Sequence, residues 1–338
     1  MTFTNKQVLD VMLQRQQETT IPFSVWHHFT KNEFFDGLKY PEGIETSLSG
    51  LEKYINDVNP DFVKLMTDGF FHYPFHGVKD LNNLTELKHL KELTNDDPWI
   101  TGQVELINRQ LKVINGKTAF YNVFSPLTYF KWALINWDSS KLNEADSKFA
   151  KLYARAPQIV VKTLESMSRG IQLLVKTMAK TGIAGIYYST QTIQDPSLRN
   201  NKDFFVNVHR QVDIEISNVA DQSFKVNILH ICGFDGFQNN LSWFTDYPYK
   251  VVNYAVNAEK VSLKEGKELF PNRVILGGLD ITKEGILYKG STDDVEKTVT
   301  KLVQDAGKDR LIIGADCTIQ RDTPVDNIRA ARNTVHQI

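Results

Sequence analysis

Short apolar runs recur along this 338-residue chain, and several are apolar almost throughout rather than at every second position. That pattern belongs to strands covered on both faces, as in a parallel sheet. Eight runs read this way: IPFSVW from Ile21, DFVKLM from Asp61, TAFYNVF from Thr118, IAGIYYST from Ile183, KVNILHIC from Lys225, YKVVNYA from Tyr249, RVILGGLD from Arg273 and RLIIGAD from Arg310. Between them lie helical patterns, among them EGIETSLSGLEKYINDV, APQIVVKTLESMSRGIQLLVKTMAKTG, SLKEGKELF, STDDVEKTVTKLVQDAG and TPVDNIRAARNTVHQ. Strands alternating with helices give an α/β architecture. Eight of them in a chain of this length favour a (β/α)8 TIM barrel over an open doubly wound sheet. No Gly-x-Gly-x-x-Gly follows the first strand, so nothing supports a dinucleotide fold. No low-complexity linker or short repeat divides the chain, and residues 1–338 read as a single domain. Val8, Leu9, Met12 and Leu13 sit at helical spacing and predict an amphipathic N-terminal helix. The polar stretch 82–117 reads as a long insertion or loop.

The net charge of −1, with both signs interspersed, gives no electrostatic case for nucleic acid or an anionic membrane. The N-terminus lacks the continuous apolar core of a signal peptide, and no stretch approaches a membrane-spanning length. Two cysteines in so long a chain argue against a disulfide scaffold. The expectation is a soluble cytoplasmic protein with reduced thiols.

The active site of such a barrel lies at the C-terminal ends of its strands. Both cysteines fall there: Cys232 in LHICG, and Cys317 in LIIGADCTI. His230 stands two residues before Cys232, and positions i and i+2 of a strand point to one side. An imidazole nitrogen and two thiolates form a zinc ligand set with the fourth position open, the mark of a catalytic site. Two ordinary buried cysteines beside a hydrogen-bonded histidine would carry the same spacing. A Cys232–Cys317 disulfide is geometrically open, although the cytoplasm disfavours it. Other polar residues at strand ends are Asp68, Gln191, Asp280, Asp316, and the adjacent pair His27 and His28.

The stretches LHICG, VILGGLD, KGSTDDVEKTV and IIGADCTIQRDTPVDNIRAA resemble the uroporphyrinogen decarboxylase superfamily. Weaker echoes in DFVKLMTDG, FSPLTYF and TGIAGIYYSTQ extend the resemblance over nearly the whole chain, and it implies a (β/α)8 barrel. One branch of the superfamily decarboxylates a tetrapyrrole without metal or cofactor. The other moves a methyl group between a corrinoid, usually on a separate corrinoid protein, and a small thiol held by zinc. The resemblance to the second branch implies that His230, Cys232 and Cys317 are its zinc ligands. The decarboxylase pattern is broken in VWHHFTKNEF, where Phe29 and Glu33 stand in place of arginines that would hold substrate carboxylates. Cys317 occupies the place of a histidine and Trp132 that of a tyrosine; Asp68 alone matches the decarboxylase's central aspartate.

The expectation is therefore a zinc-dependent methyltransferase acting with a small thiol and a corrinoid protein. A metal-independent decarboxylase and a non-catalytic tetrapyrrole or corrinoid binder are the alternatives. Asp68 and Gln191 are assigned to catalysis, with Asp280, Asp316, His27 and His28 on the substrate side. Capping of strand ends would explain Asp68, Gln191 and Asp280 equally well. On an extended strand end His27 and His28 point opposite ways, so one at most faces the centre. His72 and His76 read as lid or packing residues. The aromatics Trp26, Phe70, Phe71, Trp132, Phe234, Phe237 and Trp243 could line a pocket or fill the core. Monomer and homodimer are both left open.

Overall fold

The computed structural model describes residues 3–15, 20–234 and 236–338. All eight apolar runs form strands: β1 (Phe23–Ser24), β2 (Val63–Leu65), β3 (Ala119–Phe124), β4 (Gly185–Thr190), β5 (Ile228–Ile231), β6 (Val251–Tyr254), β7 (Val274–Leu279) and β8 (Leu311–Ala315). Every pairing is parallel, in the order β1-β8-β7-β6-β5-β4-β3-β2. Almost every strand residue is buried, as strands with a packed interior and a jacket of helices must be. The result is a nearly closed (β/α)8 barrel. No helix among the described residues is long and apolar enough to cross a membrane.

The N-terminal helix Asn5–Met12 forms as expected, opened by a capping box between Thr4 and Gln7 and burying Val8 and Met12. Residues 82–117 correct the expectation of an irregular insertion. Their second half is the helix Pro98–Val113, with Asp97 Oδ1 accepting from Trp99 N and proline at its first position. Two glutamines on its buried face interrupt the apolar stripe and disguise the helix in the sequence. Gln110 Nε2 donates to Met66 O at 2.8 Å, and Gln103 Nε2 to Trp99 O at 3.0 Å. The long excursion spans residues 66–97 instead. The helix Arg210–Ser223, preceded by a π-helical turn Phe205–His209, was also not among the patterns read from the sequence.

The seam between β1 and β2 carries no strand ladder. It is clasped by Asp61, whose Oδ2 accepts from Phe23 N and from His336 Nε2 on the last helix, both at 2.8 Å. Asp61 N donates to Phe23 O, and Ser24 Oγ to Phe62 O. Behind β4, the fully buried carboxylate of Asp213 accepts from Ser125, Tyr188, Thr190 and Tyr247 at 2.6 to 3.0 Å. Burial opposes its ionisation, but His209 and these hydroxyls outweigh burial and hold its pKa below the usual value.

Two stability predictions follow from these carboxylates. Asp61→Ala leaves a buried N–H and an imidazole unpaired and should lower unfolding stability by about 3 kcal/mol in a denaturant titration. The depressed pKa of Asp213 means that its contribution is present above the unfolded-state pKa of about 4 and is lost as pH falls below it. Unfolding curves from pH 6 to pH 3 should show that loss in the parent, whereas Asp213→Asn should be less stable at pH 6 with a shallower acid dependence.

Candidate metal centre and cavity

His230 points into the barrel near the end of β5, Cys232 lies just beyond that strand, and Cys317 follows β8. Their donor atoms all lie within 4.8 Å of one another. Cys232 Sγ and Cys317 Sγ are 3.9 Å apart, and Cys317 Sγ is 3.4 Å from His230 Nε2. A tetrahedral zinc site, with bonds of about 2.3 Å to sulfur and about 2.0–2.1 Å to nitrogen, spaces two sulfurs about 3.8 Å apart and sulfur from nitrogen about 3.5 Å apart. The two edges through Cys317 match those values and the third pair of donors lies within 4.8 Å, so the set could hold a tetrahedral metal with one position open.

The tautomer of His230 is fixed from behind. Asn253, on β6, gives both amide hydrogens away: Nδ2 donates to Leu276 O at 2.8 Å and to Ala315 O at 3.1 Å. Its Oδ1 must then face His230, and it accepts from Nδ1–H at 2.5 Å and from Tyr187 OH at 2.6 Å. Nε2 is left with its lone pair toward the cysteines, the arrangement a metal-bound histidine requires. Within the thiol pair ionisation favours Cys317, because the Cys232 thiol hydrogen-bonds its sulfur and outweighs burial. The same bond, with burial, pushes the Cys232 thiol up. Beyond β5 the chain is anchored by Asn239, whose Nδ2 reaches Cys232 O at 2.9 Å and Glu259 Oε1 at 2.6 Å.

These three residues lie in the wall of a cavity of about 210 Å³ within the barrel mouth. Phe34, Phe71, Phe124 and Trp132 form its apolar side, with ring centroids 4.9 to 5.7 Å apart. Of the aromatics singled out in the sequence, Phe71 and Trp132 line the cavity. Trp26 lies edge-on to Tyr187, Phe70 packs in the core, Trp243 packs at a tilt against Phe205, and Phe234 and Phe237 stack on each other.

The other candidates separate clearly. His28 lines the cavity, and its Nδ1 donates to Asp68 Oδ1 at 2.6 Å. Asp68 is fully buried and acts on the cavity only through that ring. His27 turns away, donating to His28 O and packing on Phe29 and Tyr54. Gln191 lines the cavity, and its Nε2 has no partner among the described residues. Asp280 caps its own turn through Thr282 N. Asp316 accepts from Gly278 N at 2.8 Å, made possible by the φ of +104° at that glycine, and burial pushes its pKa up to about 8. His72 packs on Trp137 and His76 binds Asp97.

Lys64 was not singled out in the sequence. It sits on β2, 5% exposed, with Nζ 4.1 Å from the ring centre of Tyr187 and 5.2 Å from that of Trp26. Burial pulls its pKa down to about 8, against the opposing pull of Cys317, Cys232 and Asp68. A lysine inside an apolar run was the available signal.

A family model described as uroporphyrinogen decarboxylase (URO-D) matches residues 68–338. No curated protein matches the sequence. A methyltransferase from Methanosarcina mazei has a similar structure: TM-score 0.68, 16% identity, 99% of each chain covered. A B12-independent methionine synthase from Shewanella sp. W3-18-1, in complex with selenomethionine, gives a TM-score of 0.56 at 13% identity over 94% of this chain and 98% of that one. A putative vitamin-B12 independent methionine synthase from Listeria monocytogenes gives 0.51 at 13% identity, over 94% and 96%. At such identities these likenesses establish the shared fold.

Asn253→Ala frees the His230 ring and should weaken metal binding by about 10- to 100-fold, read by competition with a chromophoric chelator.

Proposed function

The chain belongs to the uroporphyrinogen decarboxylase family, and from that premise we propose that it is a zinc-dependent methyltransferase. It moves a methyl group between a small thiol and a corrinoid carried by a partner protein. The observation that carries this reading is the convergence of His230, Cys232 and Cys317 at the edge of a cavity, with both edges through Cys317 at the spacing of a zinc site. Held by two thiolates and a neutral imidazole, zinc would carry no net charge and leave one position where a thiol loses its proton and stays nucleophilic.

The chain's own residues prepare that position. Asn253 keeps Nε2 of His230 directed at the cysteines, and Asn239 holds the backbone of Cys232. The aromatic wall excludes water from the sulfur. His28, oriented by Asp68, takes up the thiol proton; in this reading Asp68 is a positioning residue. A cavity of about 210 Å³ is far too small for a corrinoid macrocycle, which supports a donor docked at the mouth on another protein.

Decarboxylation of a carboxylate-rich tetrapyrrole is less well supported. The cavity is too small for that substrate, has no arginine in its lining, and keeps Asp68 behind His28.

The purified protein should contain about one zinc per chain, and Cys232→Ser and Cys317→Ser should each reduce it about tenfold or more. The zinc-loaded parent should demethylate methylcobalamin when a thiol is supplied, as read from cobalt absorbance, and the variants should not. A metal-free parent whose two cysteines titrate as ordinary thiols would overturn the reading.

A further inference from the structure

The three residues of the candidate metal centre sit on β5 and beyond β5 and β8, but each is held from one stretch of chain between them. That stretch is residues 253–259, the end of β6 and the short helix Val256–Glu259. Asn253 accepts from His230 Nδ1 at 2.5 Å. Asn257 N reaches Oδ2 of Asp316, the neighbour of Cys317, at 3.4 Å, the longest of these contacts. Glu259 stands behind Cys232. It is 9% exposed, and among the described residues it has no ion pair. A buried carboxylate without a cation is costly unless hydrogen bonds meet it. Here one residue does so: Oε2 accepts from Asn239 N at 2.8 Å and Oε1 from Asn239 Nδ2 at 2.6 Å. A carboxylate can accept at both places, whereas a glutamine would turn one N–H2 toward a donor.

Asn239 carries this constraint to Cys232. Its Nδ2 also donates to Cys232 O at 2.9 Å, and its Oδ1 accepts from Thr192 N and Oγ1 at 2.8 and 3.0 Å. Every polar atom of that side chain is used, which leaves it one orientation. Cys232 is gripped on both sides, since its own N donates to Thr190 O at 2.8 Å. The chain also runs hard against the carboxylate: a Cβ on Gly233 would stand 2.2 Å from Glu259 Oε1. Gln238 Nε2 donates to Ala258 O at 2.6 Å, so the loop leans on the same short helix twice.

We infer that Glu259 is a positioning residue of the metal centre: through Asn239 it fixes the backbone of Cys232, and with it the sulfur that stands 3.9 Å from that of Cys317. Residues 253–259 then support all three donors, directly at His230 and through one intermediate residue at each cysteine. The inference rests on the metal reading of these residues and not on methyl transfer. Metal–donor distances tolerate errors of roughly 0.2 Å, so a loosened backbone at one donor costs affinity.

Zinc affinity of the metal-free full chain, read by competition with a chromophoric chelator, tests the assignment. Glu259→Gln should weaken zinc about 10- to 100-fold. Gly233→Ala displaces the carboxylate without removing it and should also weaken zinc, so a folding defect in one variant does not decide the matter. In an Asn239→Ala background Glu259→Gln should cost less than about threefold more, because the path to Cys232 is already cut. Cobalt(II) in place of zinc should lose intensity in its tetrahedral visible bands in Glu259→Gln. Zinc affinity unchanged in both single variants would overturn the assignment, as would an undiminished further loss in the Asn239→Ala background. A readout without metal is alkylation of Cys232 by iodoacetamide in Cys317→Ser protein, which Glu259→Gln should speed severalfold. A parent that binds neither metal would sink the metal reading. Faster alkylation in Glu259→Gln would then leave the anchoring of Cys232 standing, and an unchanged rate would overturn that as well.

Discussion

The carboxylate of Asp61 does what the strands themselves do not: it joins β1 to β2. Seven parallel ladders leave one gap, and at that gap a side chain accepts from the backbone of Phe23 and from His336 of the last helix. With the gap held, side chains from opposite strands face one another across a single interior. His230 then meets Cys317, and Lys64 faces the same cavity. A cavity lined from β2, β3, β4, β5 and β8 has meaning only in a closed barrel.

In so apolar an interior it matters how far each polar group is used. Asn253 is the fully used case: it spends both hydrogens on carbonyls, so its oxygen sets the histidine tautomer. Asp213 is another, its charge shared among four hydroxyls. At the other extreme, among the described residues, Lys64 Nζ makes no hydrogen bond or ion pair, and Asn122 Nδ2 and Gln191 Nε2 have no partner. In a low-dielectric interior both conditions carry large energies.

Much of this was legible in the sequence, because burial on both faces leaves a simple signature. All eight apolar runs became strands, and His-x-Cys with a distant cysteine converged as strand-end geometry requires. Of the adjacent histidines, one reached the cavity and one turned away, as alternation along an extended chain dictates. Other features were hidden for physical reasons. The helix at 98–113 buries two glutamines, whose amide nitrogens donate through long-range or helical bonds and which look like surface residues in a linear reading. Lys64 is missed by any scheme that assigns lysine to solvent, although its place inside an apolar run was a signal and the facing rings show that it points inward. Asp280 and Asp316 share the strand-end address but spend their oxygens on backbone amides, a choice made by loop geometry.

The parallel pairing of Phe23 with Ile313 also has a consequence for how the chain is assembled. The first strand has no ladder partner until the eighth has been made, and the clasp at its other side depends partly on the helix that follows the eighth. A growing chain must therefore carry two raw sheet edges through most of its synthesis. Contacts of such long sequence separation close slowly, and open parallel edges invite pairing with other chains. The cysteines meet only after the same delay, because the loop beyond β8 supplies the second. During that interval the nascent protein depends on its helices, or on a chaperone, to keep its edges apart from those of its neighbours.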